Sequence, residues 1–224
     1  MTGTATTFDE LVTNDTGNVR KALRGGVLWA PMSTAIPASL TIDSPTTPGT
    51  PVLQTLTGFS SLGCFSDDGA KFSRDIKDST ITPWGFLDPA RRDIVTDVTS
   101  VAITALETNK QTLSMFHGVD ASSLTPDSVT GELHIDKAAS AQAVYFRLIV
   151  IGQDGTEGNE YWTARLLPRA SVTGFDDQVF QSGDTTIAYG VTITAYKDTA
   201  AGYADRTIWA GPGWLNDQTA MGFS

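Results

Sequence analysis

From Ile187 to Tyr196 the chain alternates without interruption. Ile187, Tyr189, Val191, Ile193 and Ala195 fall on one side, and Thr192, Thr194 and Tyr196 on the other. A period of two is the signature of a β-strand with one face on a core and one on solvent. Lys71 to Ile81 repeats it, with Phe72, Arg74 and Ile76 on one face and Ser73, Asp75 and Lys77 on the other. A longer run, roughly Asp93 to Ala105, keeps Val101 and Ile103 together. Ala143 to Ile151 is apolar on both faces, as a central buried strand requires. Gly26–Pro31, Gly58–Phe65, Glu160–Pro168 and the short Glu132–Asp136 complete the strand set. Ser66–Gly69 and Asp154–Gly155 supply turn chemistry.

Composition agrees with this reading. Thr occurs 32 times, and twenty of the 25 acids are Asp. Thr favours strands and Asp favours turns, whereas helical chains draw on Glu, Lys and Leu. A 40% hydrophobic content suffices for a core. One large β domain is expected over residues 18–198, preceded by a flexible arm (1–17) and followed by a short tail (199–224) with Trp209 and Trp214. One helix is expected over about 107–117, opened by Thr104…Glu107 or Thr108…Gln111 as a capping box and closed by Gly118. Residues 32–56 hold Pro37, Pro45, Pro48 and Pro51 among Ser and Thr, with few strand signals. A loop of that length is usually functional or disordered.

Several functions are disfavoured by the same residues. The net charge of −10 argues against adhesion to nucleic acid, which needs basic surface. The longest apolar run, about Leu148 to Ile151, is too short for a membrane span, and the N-terminus has no secretory pattern. A single Cys64 fits synthesis in a reducing cytoplasm and reads as a small buried hydrophobe. His117, His134 and Cys64 form no H-x-x-x-H or C-x-x-C spacing, so neither metal nor cofactor is expected. No phosphate cradle or nucleophile elbow is present. Asp67–Asp68, Asp176–Asp177 and the basic doublet Arg91–Arg92 read as turn or edge residues. Nothing requires an enzyme. Trp84 and Trp162 would suit a sugar-stacking platform, which keeps open a carbohydrate-binding β-sandwich such as a virion decoration module.

The order of segments resembles phage major tail proteins, the tail-tube subunits of long-tailed, non-contractile phages, especially of actinobacterial hosts. The carrying pieces are Gly26–Pro31 (GVLWAP), the Pro/Thr loop, Gly58–Gly69 (GFSSLGCFSDDG), Pro83–Gly85 (PWG) and Leu106–Gly118 (LETNKQTLSMFHG). The similarity covers roughly residues 19–197, with Cys64 where an aromatic is expected. The resemblance implies a mainly β, β-sandwich or split-barrel tail-tube fold with one flanking helix and no catalytic residues. It also implies hexameric rings stacked into a virion tail tube, partnered by tape-measure and terminator proteins. A single-ring terminator or connector would share the fold.

Four strands per subunit would give a 24-stranded barrel about 150 Å round, open to about 38 Å once side chains are subtracted. Double-stranded DNA would pass without sticking if acids lined the lumen. Asp75, Asp78, Asp93 and Asp97 are the candidates for that wall. Within 32–56, Thr41, Asp43, Thr46, Thr47 and Thr50 are the candidates for an inter-ring loop.

Overall fold

The computed structural model of the chain describes residues 6–12, 14–137, 140, 142–182 and 186–223. The order is α1 (Phe8–Leu11), β1 (Arg24–Pro31), β2 (Thr41–Asp43), β3 (Pro51–Leu53), β4 (Ser60–Ser61), β5 (Lys71–Ile81) and β6 (Arg91–Ala105). Then come α2 (Lys110–His117), β7 (Phe146–Thr156), β8 (Asn159–Phe175), β9 (Tyr189–Ala195), β10 (Arg206–Ala210) and α3 (Pro212–Asp217). The protein is mainly β, as expected. Residues 1–5 of the expected arm, and Thr13, lie outside the described residues; α1 carries a capping box between Thr7 and Glu10 and exposes Phe8 and Leu11.

Antiparallel pairing runs β4-β1-β7-β8-β9-β6-β5. The chain after β4 closes this path. Leu62 donates its N–H to Val27 of β1 at 3.0 Å, and Phe65 bridges Ala105 at the end of β6. Leu106 N–H to Cys64 (2.8 Å) and Ser66 N–H to Thr104 (3.0 Å) complete the seam. Inside the closed wall pack Trp29, Leu62, Val101, Ile103, Leu148, Leu167, Val191 and Ile193, and Met115 of α2 plugs the same core.

β7 is apolar on both sides for a reason visible in its register. Leu148 faces the barrel core, while Ile149 faces outward with Ala164 and Leu166, under Leu40 and flanked by Ile36, Leu56 and Phe59 from the segment after β1. The Pro/Thr segment is therefore a cover over the outer wall. It also contains the β2–β3 hairpin, so the expectation of an irregular loop is corrected here. A buried cation binds cover and wall together. Arg147 donates to Pro168 O (2.8 Å) and Met32 O (3.2 Å), and pairs with Asp198 at 3.3 Å.

Other expectations also shift. Helix α2 starts at Lys110 because Asn109 caps Thr112 N–H, so neither Thr-led capping box is used; Gly118 ends it at φ 64°, as expected. Asp154 and Gly155 lie inside β7, and the reversal falls at Glu157–Gly158. Gly58–Phe65 is mostly irregular, with a two-residue strand. Glu132–Asp136 is not a strand. Cys64 is exposed rather than buried. Its N–H bonds to Glu107 at 3.0 Å, and its thiol is pushed up by a hydrogen bond to that carboxylate. The preceding Gly63 has φ 89°, and a Cβ there would run into Glu107.

Two outcomes follow from this wall and its seam. Leu148 is fully buried, so Leu148→Ala should cost about 2–5 kcal/mol, read as a lower urea midpoint at unchanged slope. Glu107 is held below the ordinary glutamate range, first by the Cys64 thiol and then by the Cys64 N–H. A depressed carboxylate stabilises the fold above its unfolded value, near 4.5, and loses that contribution as pH falls through its folded value. Glu107→Gln should melt earlier than the parent at pH 7, and the gap should close on acidification below about pH 4.5.

Candidate assembly surfaces

β5 and β6 leave the barrel as a two-stranded arm. Phe72 and Val101 still belong to the core, but from Ser73 to Val98 both strands are exposed on both faces. The turn ends in Trp84 and Leu87, each fully exposed, with Phe86 beside them. An isolated hairpin is marginal in water, so this one is built to be covered.

The register decides which side chains share a face. Residues directly opposite point the same way, and Ser73↔Ser100, Asp75↔Val98 and Lys77↔Thr96 define one face. Arg74↔Thr99 and Ile76↔Asp97 define the other. Between Lys77 and Asp78 the register slips, because Val95 is bulged out of the pairing. The bulge puts Asp93 and Asp97 on opposite faces although they are four apart, an even spacing. Asp75 and Asp93 thus share the Ser73 face, and Asp78 and Asp97 the Arg74 face.

Three of these four acids are also neutralised. Arg74 grips Asp97 with Nε at 2.7 Å and a second bond, and those hydrogen bonds hold the Asp97 carboxyl below its usual range. Arg91 pairs with Asp93 at 2.7 Å and Arg92 with Asp78 at 2.6 Å. Asp75 has no ionic partner among the described residues. Across 71–105, Lys71, Arg74, Lys77, Arg91 and Arg92 balance Asp75, Asp78, Asp88, Asp93 and Asp97. The whole excess of negative charge therefore lies elsewhere.

Carried into the barrel, the Ser73 face is a hydroxyl surface. Ser100 pairs with Thr194 and Thr104 with Gly190, and Thr192 lies between them. Ser73 and Ser100 hydroxyls meet at 2.8 Å, and Thr173 and Thr194 at 2.7 Å. This polar sheet of β5, β6, β9 and the end of β8 was legible as alternation, but its continuity across four strands needed the register.

The cover hairpin holds the other candidates. Thr41 and Asp43 bound β2, and the Asp43 carboxylate accepts Gly49 N–H at 2.7 Å. Ser44, buried, accepts from Thr46 and Thr47 N–H, and Thr50 N–H returns to Thr47 O. Thr46 and Thr47 are exposed at its end. Beside this hairpin, Trp209 of β10 stacks on Trp214 of α3 at 5.5 Å, and the two elements form a groove of about 390 Å³. Sequence reasoning noted both Trp residues without placing them.

Trp162 is buried in β8, which removes it from any sugar platform, and Trp84 stands alone at the arm's end. Among the described residues no three of His, Cys, Asp and Glu gather as a metal group, and no helix is long and apolar enough to cross a membrane.

A protein-family model described as phage tail tube protein matches residues 12–216. No curated protein matches the chain.

The exposed arm has a direct readout. Chymotrypsin acting on the free subunit should cut first after Trp84, Phe86 or Leu87, leaving two fragments that stay associated through the barrel, as mass spectrometry would identify. First cuts in the β2–β3 cover would contradict the arm.

Proposed function

The chain belongs to the phage tail tube protein family, and from that premise we propose that it polymerises as stacked hexameric rings into the tail of a non-contractile phage of an actinobacterial host. Its role is structural and its place the virion tail. The host and tail type rest on the segment order described above; the tube domain expected over 18–198 extends through β10, which pairs with β8, so of the two expected extensions 1–17 is left as a joining arm.

The observation that carries the ring is the free edge. Among the described residues β5 has no partner on its outer side over its whole length, and β6 has none beyond β5 from Arg91 to Thr99. Unpaired edges are sticky, and a heterologous contact that closes removes them all. In the ring, the hydroxyl face of β5, β6, β9 and β8 lines the lumen. Ser and Thr carry no positive charge with which to displace the counterions of double-stranded DNA, and the arm is neutral overall. Asp75, the unpaired acid, and Asp93 face the lumen on this reading; Asp78 and Asp97 face the barrel side. Lys77 shares that face two residues from Asp75 and, like it, has no ion pair among the described residues, so the two offset each other; the wall is neutral and hydroxyl-lined and offers the duplex no net positive charge to rest on.

Thr41, Asp43, Thr46, Thr47 and Thr50 sit on a cover hairpin that joins one ring to the next. The protein needs no cofactor and performs no catalysis; tape-measure and terminator proteins are its other partners. Negative-stain electron microscopy of concentrated protein should show hollow tubes, and a variant lacking residues 42–52 should stay folded by circular dichroism yet form none. Single rings from the parent would make it a terminator, and tubes of normal length from the deletion would free the hairpin of its joining role.

A further inference from the structure

The arm's end and the far end of the same sheet are complementary. β6 runs from Arg91 at the turn to Ala105, which pairs with Tyr189, and Phe175 at the end of β8 pairs with Val191. Phe175 and the arm's turn therefore lie at opposite ends of one sheet, separated by about 40 Å at 3.3 Å per residue.

Each end exposes what a folded chain normally hides. At the turn these are Trp84, Phe86 and Leu87. At the far end they are Phe175 (58% exposed), Val179 and Phe180 (76%), with Phe175 propped edge-on against Phe116 of α2 at 5.6 Å. Their polar groups are complementary. Arg91 and Arg92 at the turn are each engaged by one acid, Asp93 and Asp78, whereas Asp176 and Asp177 have no basic residue within 175–182 and no ion pair among the described residues. Among the described residues Arg91 engages Asp93 of its own strand and Arg92 engages Asp78 of β5, each through Nε alone, which leaves each terminal fork free for a second carboxylate.

We infer that the arm's turn of one copy docks on the Phe175–Phe180 end of the next copy along the tube, Trp84 and Leu87 against Phe175 and Phe180, and Arg91 and Arg92 against Asp176 and Asp177. This longitudinal joint rests on the tube reading and is separate from the cover hairpin. It explains two charged doublets and six exposed apolar side chains that the single subunit leaves without work. The contact is head-to-tail, so it repeats without closing and sets the direction of growth.

Charge reversal with rescue tests it. R91E/R92E and D176R/D177R should each fold with the parent's circular dichroism and lose tubes under the microscope, and the variant carrying all four changes should regain them. W84S/L87S, altered only at fully exposed positions, should also lose tubes. Tubes from either reversed variant, or none from the combined one while W84S/L87S still assembles, would overturn the joint and leave the tube reading standing. A parent that forms no tubes at all would overturn both.

Discussion

An edge of a β-strand carries one row of N–H and C=O groups, and each can serve only one neighbour. In this protein the constraint falls on β8. One edge, from Asn159 to Ala170, is given to β7, while the other is divided. β10 takes Trp162 to Leu166, and β9 takes Ala170 to Phe175. Because β10 already occupies the lower part, β9 ends at Ala195 and cannot continue. β6, which follows β9 from Ser100 to Ala105, is left below that point with β5 alone. The projecting arm is thus a consequence of how one strand's hydrogen bonds are shared, and so are the free edges that ring closure would use. The Gly211–Pro212–Gly213 turn secures the division, since side chains at either glycine would collide with β8.

The seam from Ser60 to Ser66 does the complementary job. It closes the barrel on the side away from the split by bonding β1 and β6 at once. Glu107 anchors it through Cys64, and Asn109, with Thr112, reaches Leu62 O while Asn109 caps α2. The helix is placed by the seam, which is why its true cap is the residue that reaches back to Leu62, at the expense of the Thr-led alternatives.

Much of this was legible in the residues. β5 was readable to its ends and β9 nearly so, because alternation over seven or more residues has no helical counterpart. Gly118 announced the end of α2. The β2–β3 hairpin was not readable, since three-residue strands are too short to show a period, and its turn is held by the Asp43 and Ser44 side chains. β10 was missed because its partner is chosen by what β9 leaves open. The candidate acids divide two and two between the faces of the arm for a local reason. Asp75 and Asp78 are an odd number apart, so alternation alone separates them, whereas Asp93 and Asp97 are separated by a bulge at Val95 that no pattern in the sequence marks. Cys64 looked buried because it follows Leu62, yet Gly63 turns the chain and aims the thiol outward at Glu107.

The arm poses a problem that its charges resolve. Two exposed faces and two free edges would invite pairing in any register, and a slip of one residue would exchange the faces. Along β5, Lys71, Arg74, Asp75, Lys77 and Asp78 put alternating charge on the edge, and Arg74–Asp97 and Arg92–Asp78 tie the two strands in a fixed register. Exposed ion pairs add little to stability. Their effect is on choice within the arm: sliding β5 against β6 by one residue would break both pairs. Because its charges balance, the arm carries no net charge by which copies of it would repel. The excess of ten negative charges lies outside residues 71–105.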